Sequence, residues 1–153
     1  QGWAGRPADG KDTSVLTPAA AESAKSRPAP DARRRPVVVL VNDDEDSLFL
    51  LAHSVRRAVP NTDVVTLSRA AEALTYVQTH PVAAVVTDNR MPEMDGLTLI
   101  RRIREFDARL PLLMVTGSIE AEAAAYAAGA NGYLSRLCWA GVGAELRNLL
   151  SVQ

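Results

Sequence analysis

The sequence predicts an α/β fold, a doubly wound, five-stranded parallel sheet with helices on both faces. Three observations carry this. Short apolar, β-branched runs recur along the chain, and such runs suit parallel strands buried on both faces. Between them lie stretches whose apolar residues repeat at helical spacing. The two kinds of segment alternate, which is the pattern of strand–helix–strand units. Right-handed crossovers then fix most of the topology.

The elements follow in order. Val37-Val38-Val39-Leu40-Val41 is continuously apolar and reads as a central strand. Asp46–Val59 carries Leu48, Leu51, Ala52, Val55 and Ala58/Val59 at helical spacing. Val64–Leu67 is a second strand, and Ala70–Gln78 a short helix with Ala70, Ala73, Leu74 and Val77 inward. Val82–Thr87 is a third strand, followed by a helix over Leu97–Phe106 with Leu99, Ile100, Ile103 and Phe106 on one face. Leu112–Val115 is a fourth strand. Glu120–Ala128 is an alanine-rich helix closed by Gly129, a residue that tolerates the left-handed cap conformation. Gly132–Leu134 is a short fifth strand, and Gly141–Leu150 the last helix.

At 153 residues the chain is one domain, or one domain with a tail. Residues 1–35 hold few large apolar side chains (Trp3, Val15 and Leu16) among Pro7, Pro18, Pro28 and Pro30. Such a segment buries too little to offset its conformational entropy, so it is expected to be a loosely ordered tail ahead of a domain over 36–153. The tail carries seven Lys/Arg against four acids, including Arg33-Arg34-Arg35, which reads as a solvated charge run. With a net charge of −1 overall, a strongly basic nucleic-acid binder is not expected. The single cysteine, Cys138, excludes an internal disulfide and a cysteine-rich zinc site. No apolar run approaches the ~18 residues that span a bilayer, and the N-terminus lacks a signal-peptide pattern. A soluble, cytoplasmic protein is expected. Because the chain begins at Gln1, a processed or excised piece is expected as well.

In sheets of this kind the ligand site lies beyond the carboxyl ends of the strands. Asn42-Asp43-Asp44 follows the first strand, Asp88-Asn89-Arg90-Met91-Pro92 the third, Thr116-Gly117-Ser118 the fourth and Arg136 the fifth. Carboxylates, a hydroxyl and a cation therefore converge. An acid cluster at apolar strand ends needs a compensating cation, and oxygen donors without paired His or Cys favour a hard ion such as Mg²⁺. A carboxylate, Mg²⁺, a hydroxyl and a basic side chain together can handle a phosphoryl group. Singly, each of these residues is an ordinary cap or turn former. Four strand ends with complementary chemistry weaken that reading.

The motifs VVVLVNDDEDS, VVTDNRMPEMDG, LLMVTGS and AGANGYLSR resemble those of a response-regulator receiver domain (CheY-like) of bacterial two-component signalling, over Val37–Leu150. The resemblance implies a flavodoxin-like (βα)5 fold with strand order 2-1-3-4-5. It implies that Asp88 is the phosphoacceptor, taking a phosphoryl group from a sensor histidine kinase or phosphotransfer protein. Asp43 matches the metal-binding acid after the first strand, and the main-chain carbonyl of Arg90 the third metal donor beside Asp88. Strand alignment places Asn42 at the other acidic position, where an amide could hold a metal-bound water. A one-residue shift would instead pair Asp43 with Asp44. Thr116 and Arg136 match the residues that contact the phosphoryl group. Thr116 and Tyr133 match the switch pair that alters a partner-binding surface. Asp95 is an expected N-cap. The implied cofactor is Mg²⁺, and the implied partners are the kinase and a downstream output protein on another chain or outside this sequence. The resemblance also allows a homodimer through the last two helices. Nucleic-acid and membrane contact are not expected of this domain, nor is enzyme activity in the ordinary sense.

Two departures bear on function. Arg136-Leu137 stands where the family has Lys-Pro. Arg keeps the charge but is a planar fork on a longer stem. A cis bond before Leu137 would cost about 2.5–4 kcal/mol, so a trans bond and a rearranged loop over Leu137-Cys138-Trp139 are expected, with Trp139 packing. The stretch from Thr116 to Gly129 is also about two residues short of the family's, by its resemblance. These departures keep open an alternative: a degenerate receiver that works as a phosphorylation-independent interaction module. An aspartate-based phosphohydrolase would need a second acid where Arg90 stands, and a nucleotide site would need a Gly-rich loop after the first strand. His53, His80, Met91 and Met94 have no acid/base or metal constellation in the sequence. Cys138 reads as a small apolar residue.

Overall fold

A computed structural model describes residues 35–118 and 120–151, excepting the side chains of Leu137 and Trp139. The expectations for the tail over 1–34 and for Trp139 packing lie outside what is described. Five parallel strands form one sheet in the order β2-β1-β3-β4-β5: β1 Val37–Val41, β2 Asp63–Leu67, β3 Ala84–Thr87, β4 Leu112–Thr116 and β5 Gly132–Ser135. Five α-helices connect and follow them: α1 Glu45–Ala58, α2 Ala70–Thr79, α3 Gly96–Arg104, α4 Ala121–Ala128 and α5 Val142–Ser151. The fold class and strand order are those expected.

The alternation of side chains along each strand explains why both faces are covered. Val39, Val41, Val85, Leu112 and Met114 point to one face and pack with Leu99, Ile100 and Ile103 of α3 and the alanines of α2 and α4. Val38, Leu40, Ala84, Val86, Leu113 and Val115 point to the other and pack with α1 and α5 through Leu48, Leu51, Val55, Val142 and Leu146. Every residue of β4 is buried, as a parallel central strand requires. The edge strand β2 is only partly buried.

Local chemistry sets the boundaries. Asp44 caps α1, accepting from the Ser47 N–H at 3.3 Å and the Ser47 hydroxyl at 2.6 Å. Asp95 caps α3 as expected, accepting from the Thr98 N–H at 2.8 Å. Gly129 closes α4 at φ 117°. The bounds fall within two residues of the expected ones, and two of these differences bear on packing. The third strand begins at Ala84 rather than Val82, which is buried before the strand. The helix α3 stops at Arg104, and Phe106 follows in a turn whose N–H donates to the Ile103 carbonyl at 3.1 Å.

After β5 the chain makes a 3₁₀ segment, Arg136–Gly141, interrupted by non-helical angles at Cys138 (φ −108°, ψ 25°). Among the described residues no peptide bond is cis. Cys138 is exposed rather than packed as a small apolar residue. Arg35, read as part of the tail, reaches the domain: its guanidinium donates to the Pro60 carbonyl at 2.8 Å and lies 3.4 Å from Asp63.

Candidate functional site

The carboxyl ends of β1, β3, β4 and β5 bring the candidate residues to one end of the sheet. Asp88 directly follows β3, and its main-chain N–H donates to the Val41 carbonyl at 3.0 Å, so it continues the sheet's pairing for one residue. Its side chain is 3% exposed. One carboxylate oxygen, Oδ1, accepts from the Asn89 N–H at 2.8 Å. The other, Oδ2, accepts from Arg136 Nη2 at 2.9 Å, across the sheet end from β5. Burial is the largest influence on this carboxyl and pushes its pKa up. The Asn89 N–H and the Arg136 charge pull the other way, and Asp43 adds a smaller upward push.

The loop after β3 is held by its own groups. The Asn89 side-chain carbonyl accepts from the Leu97 N–H at 3.3 Å, and the Asn89 main-chain carbonyl from the Gly96 N–H at 2.9 Å. Gly96 is required for this closure, because a Cβ there would stand 2.2 Å from the Asp88 carbonyl oxygen. Across the same loop, Glu93 adopts φ 74° and pairs with Arg69 from the β2–α2 connection at 2.6 Å.

Residues at the strand ends line three concavities. Asp43 and Arg90 line one, with Asn89, Met91, Pro92 and Asp95. Thr116 and Arg136 line a second, with Arg90, Gly117, Ser118 and Glu120. Asn42 lines neither of these. It lines a third with Asp88 and Arg136, on the α1 side of the sheet. Asn42 is buried, and its side-chain carbonyl accepts from the Asp44 N–H at 2.9 Å. Thr116 is buried, and its hydroxyl accepts from the Ser118 N–H at 3.4 Å. The Tyr133 hydroxyl donates to the Ser118 carbonyl and so ties β5 to the loop after β4. Burial pushes the Tyr133 phenol pKa up, with Glu122 adding to it, which keeps that donor protonated.

A sequence profile described as the response regulator receiver domain matches residues 38–139. The chain belongs to that family. It is 34% identical over 80 residues to the response regulator receiver protein CpdR of Brucella abortus, covering 52% of this chain and 65% of that protein. It is 37% identical over 82 residues to the C4-dicarboxylate transport transcriptional regulatory protein DctD of Rhizobium meliloti, covering 54% of this chain but 17% of that protein. The chain thus spans between 17% and 65% of the length of these two curated relatives. A putative response regulator from Chloroflexus aurantiacus superposes with a TM-score of 0.69 at 30% identity, covering 77% of this chain and 99% of that one. The response regulator TrrA of Thermotoga maritima, solved in complex with Mg(2+)-BeF, shares the fold with a TM-score of 0.69 at 18% identity, covering 75% of this chain and 99% of that one.

The receiver's sequence signals located the strand-end residues but not all that hold them. Asn89 carries no signal of its own role beyond its place inside the VVTDNRMPEMDG motif. Ser47, Leu50 and Val115, which line the third concavity, read only as helix and strand residues. His80 is exposed and stacks on Tyr76 with ring centroids 4.0 Å apart. Among the described residues, no group of three or more His, Cys, Asp or Glu side chains clusters as metal ligands, and no helix is long and apolar enough to cross a membrane.

Proposed function

We propose that this receiver is a phosphorylation-competent signalling switch, with Asp88 accepting a phosphoryl group from a phosphohistidine on a partner kinase or phosphotransfer protein. The observation that carries it is the setting of Asp88: a buried carboxylate at a strand end, with one oxygen on a main-chain N–H and the other on the Arg136 guanidinium. In the transfer, an Asp88 oxygen forms a bond to phosphorus as the phosphorus–nitrogen bond to the donor histidine breaks. The histidine leaves with the electron pair. The Arg136 side chain is 54% exposed, so it is free to follow a phosphoryl oxygen once the Asp88 pair opens. Thr116 supplies a hydroxyl on the same side, and Tyr133, tied to the Ser118 carbonyl, is placed to move with that loop. The phosphorylated form then favours a different population of the surface that meets an output protein.

The donor chemistry fits Mg²⁺. Asp43 lies close enough to Asp88 to perturb its carboxyl, and both offer hard oxygen ligands. Asp43, Asp88 and the main-chain carbonyl of Arg90 would hold the ion, with Asn42 reaching it through water. When bound, the ion would supply positive charge to the transferring phosphoryl group. Asp44 caps α1 through Ser47, which supports Asn42 and Asp43, rather than Asp43 and Asp44, as the relevant pair. Mg²⁺ commonly keeps several waters and uses one or two carboxylates, so the loss of one charge at Asn42 is compatible with binding.

The test is intact mass after incubation with acetyl phosphate and Mg²⁺. A phosphoryl increment is expected for the native chain. It should vanish in Asp88→Asn and without the metal. If acetyl phosphate, a kinase-borne phosphohistidine and beryllofluoride all leave the chain unchanged, the receiver instead works as a phosphorylation-independent interaction module. The amide at Asn42 and the Arg136–Asp88 pair are the observations that would then explain the loss.

A further inference from the structure

The third concavity shares Asp88 and Arg136 with the phosphoryl site, but phosphoryl chemistry does not explain its apolar part. It is a cavity of about 300 Å³ on the α1 face, bounded by Val41, Leu51, Val86 and Val115, with Leu50 at its outer side. Its size lies at the lower end of the range of about 300–1,000 Å³ typical of small-molecule sites, and far above an ordinary packing void. Its walls are mainly apolar, and its polar groups gather at one end: Asn42, Ser47, Thr87, Asp88 and Arg136.

Most of these polar groups have partners. The Ser47 hydroxyl donates to Asp44, and the Thr87 hydroxyl donates to the Asp88 carbonyl at 2.8 Å. Asp88 and Arg136 pair with each other. Asn42 does not complete its set. Its carbonyl accepts from Asp44, but its side-chain amide donor has no partner among the described residues, and the residue is only 9% exposed. An unmet donor at that depth is costly, and an acceptor brought in by a ligand would meet it.

We propose that this cavity is a binding site for a small, uncharged, mostly apolar molecule carrying a carbonyl group. The apolar body would cover Val41, Leu51, Val86 and Val115, and the carbonyl would accept from the Asn42 amide and the outer donors of Arg136. Charge decides the class. An anion would sit against Asp88 and beside the acidic run Asp43–Asp46. A cation would sit against Arg136, whose partner carboxylate is already engaged. The inference stands on the cavity and does not require that Asp88 be phosphorylated.

The test is titration of the isotope-labelled full chain with 2-acetonaphthone, followed by amide chemical shifts. Naphthalene and 2-naphthoate serve as the probes without a carbonyl and with a negative charge. Saturable shifts centred on Leu50, Leu51, Val86 and Val115 are expected below about 1 mM ketone, with binding of either comparison probe at least about tenfold weaker. Leu50 is 49% exposed, so Leu50→Trp plugs the mouth without entering the core and should weaken the ketone at least about tenfold. Asn42→Asp, which exchanges the amide donor for an acceptor, should do the same. Phe49→Ala, one residue away and outside the cavity lining, should leave binding unchanged. Absence of saturable shifts, ketone binding indifferent to Leu50→Trp, or equal binding of naphthalene or 2-naphthoate would each overturn the proposal.

Discussion

Asp88 is the residue on which burial and function pull in opposite directions. Burial raises its carboxyl pKa, while the Asn89 N–H and Arg136 recover part of the cost of ionising it. The sign for stability follows. Between the ordinary carboxylate pKa and the raised one, the folded chain holds a proton that the unfolded chain has released. Stability is therefore highest at acid pH with respect to this group and falls as pH rises through its folded pKa. Asp88→Asn should remove that slope. Its thermal midpoint should exceed that of the native chain at pH 7, and the difference should shrink as pH approaches the ordinary carboxylate value of 3.8. Paired thermal melts across that range check it, and a midpoint for Asp88→Asn below the native one at pH 7 would contradict the sign. The position of Asp88 was legible because a polar residue ending an apolar run is conspicuous. Its pairing with Arg136 across 48 residues depends on the side chain reaching over the sheet end, which no local pattern records. Asn42 was legible as a departure from an acidic pair, but the direction its unmet amide faces was not.

The connection from β3 to α3 is the element that fixes Asp88 in place. Asp95 starts the helix, and Asn89 closes the loop onto Gly96 and Leu97. The sequence showed this turn through Met91-Pro92 and Asp95-Gly96, since cap and turn residues act locally. It did not show why glycine is needed, because the obstacle is the carbonyl of a residue eight positions earlier. Gly96→Ala should destabilise the domain by about 1–3 kcal/mol, as overpacking against main chain does, and lower the rate of Asp88 phosphorylation more than that loss of folded protein explains. Urea unfolding beside acetyl phosphate labelling separates the two effects. The helix bounds show a similar limit. Periodicity placed α3 well but carried it to Phe106, since a partly buried side chain in the following turn keeps the helical spacing without the helical bonds.

At the scale of the whole fold, the described residues form a single sheet with two cores, and the same strands serve both. Leu40 faces α1 and α5 while its neighbours Val39 and Val41 face α2, α3 and α4. That sharing was readable from the unbroken apolar runs, because a strand buried on both faces needs no polar alternation. The depth of individual residues outside the periodic segments was not: Leu110 is fully buried in the approach to β4. Ile100 and Leu146 lie in opposite cores, and both are fully buried. Leu146→Ala should lower stability by about 2–5 kcal/mol and Ile100→Val by about 0.5–1.5 kcal/mol. Their side chains share no direct neighbours across the sheet, so the double variant should lose the sum to within about 0.5 kcal/mol. Neither core can unfold alone, because removing either helix layer exposes strands that the other layer requires. Each variant should therefore unfold in one transition, with circular dichroism and hydrogen exchange of both helix layers giving the same midpoint. Two separated transitions, or one helix layer exchanging while the other stays protected, would show that the sheet does not bind its two faces into one cooperative unit.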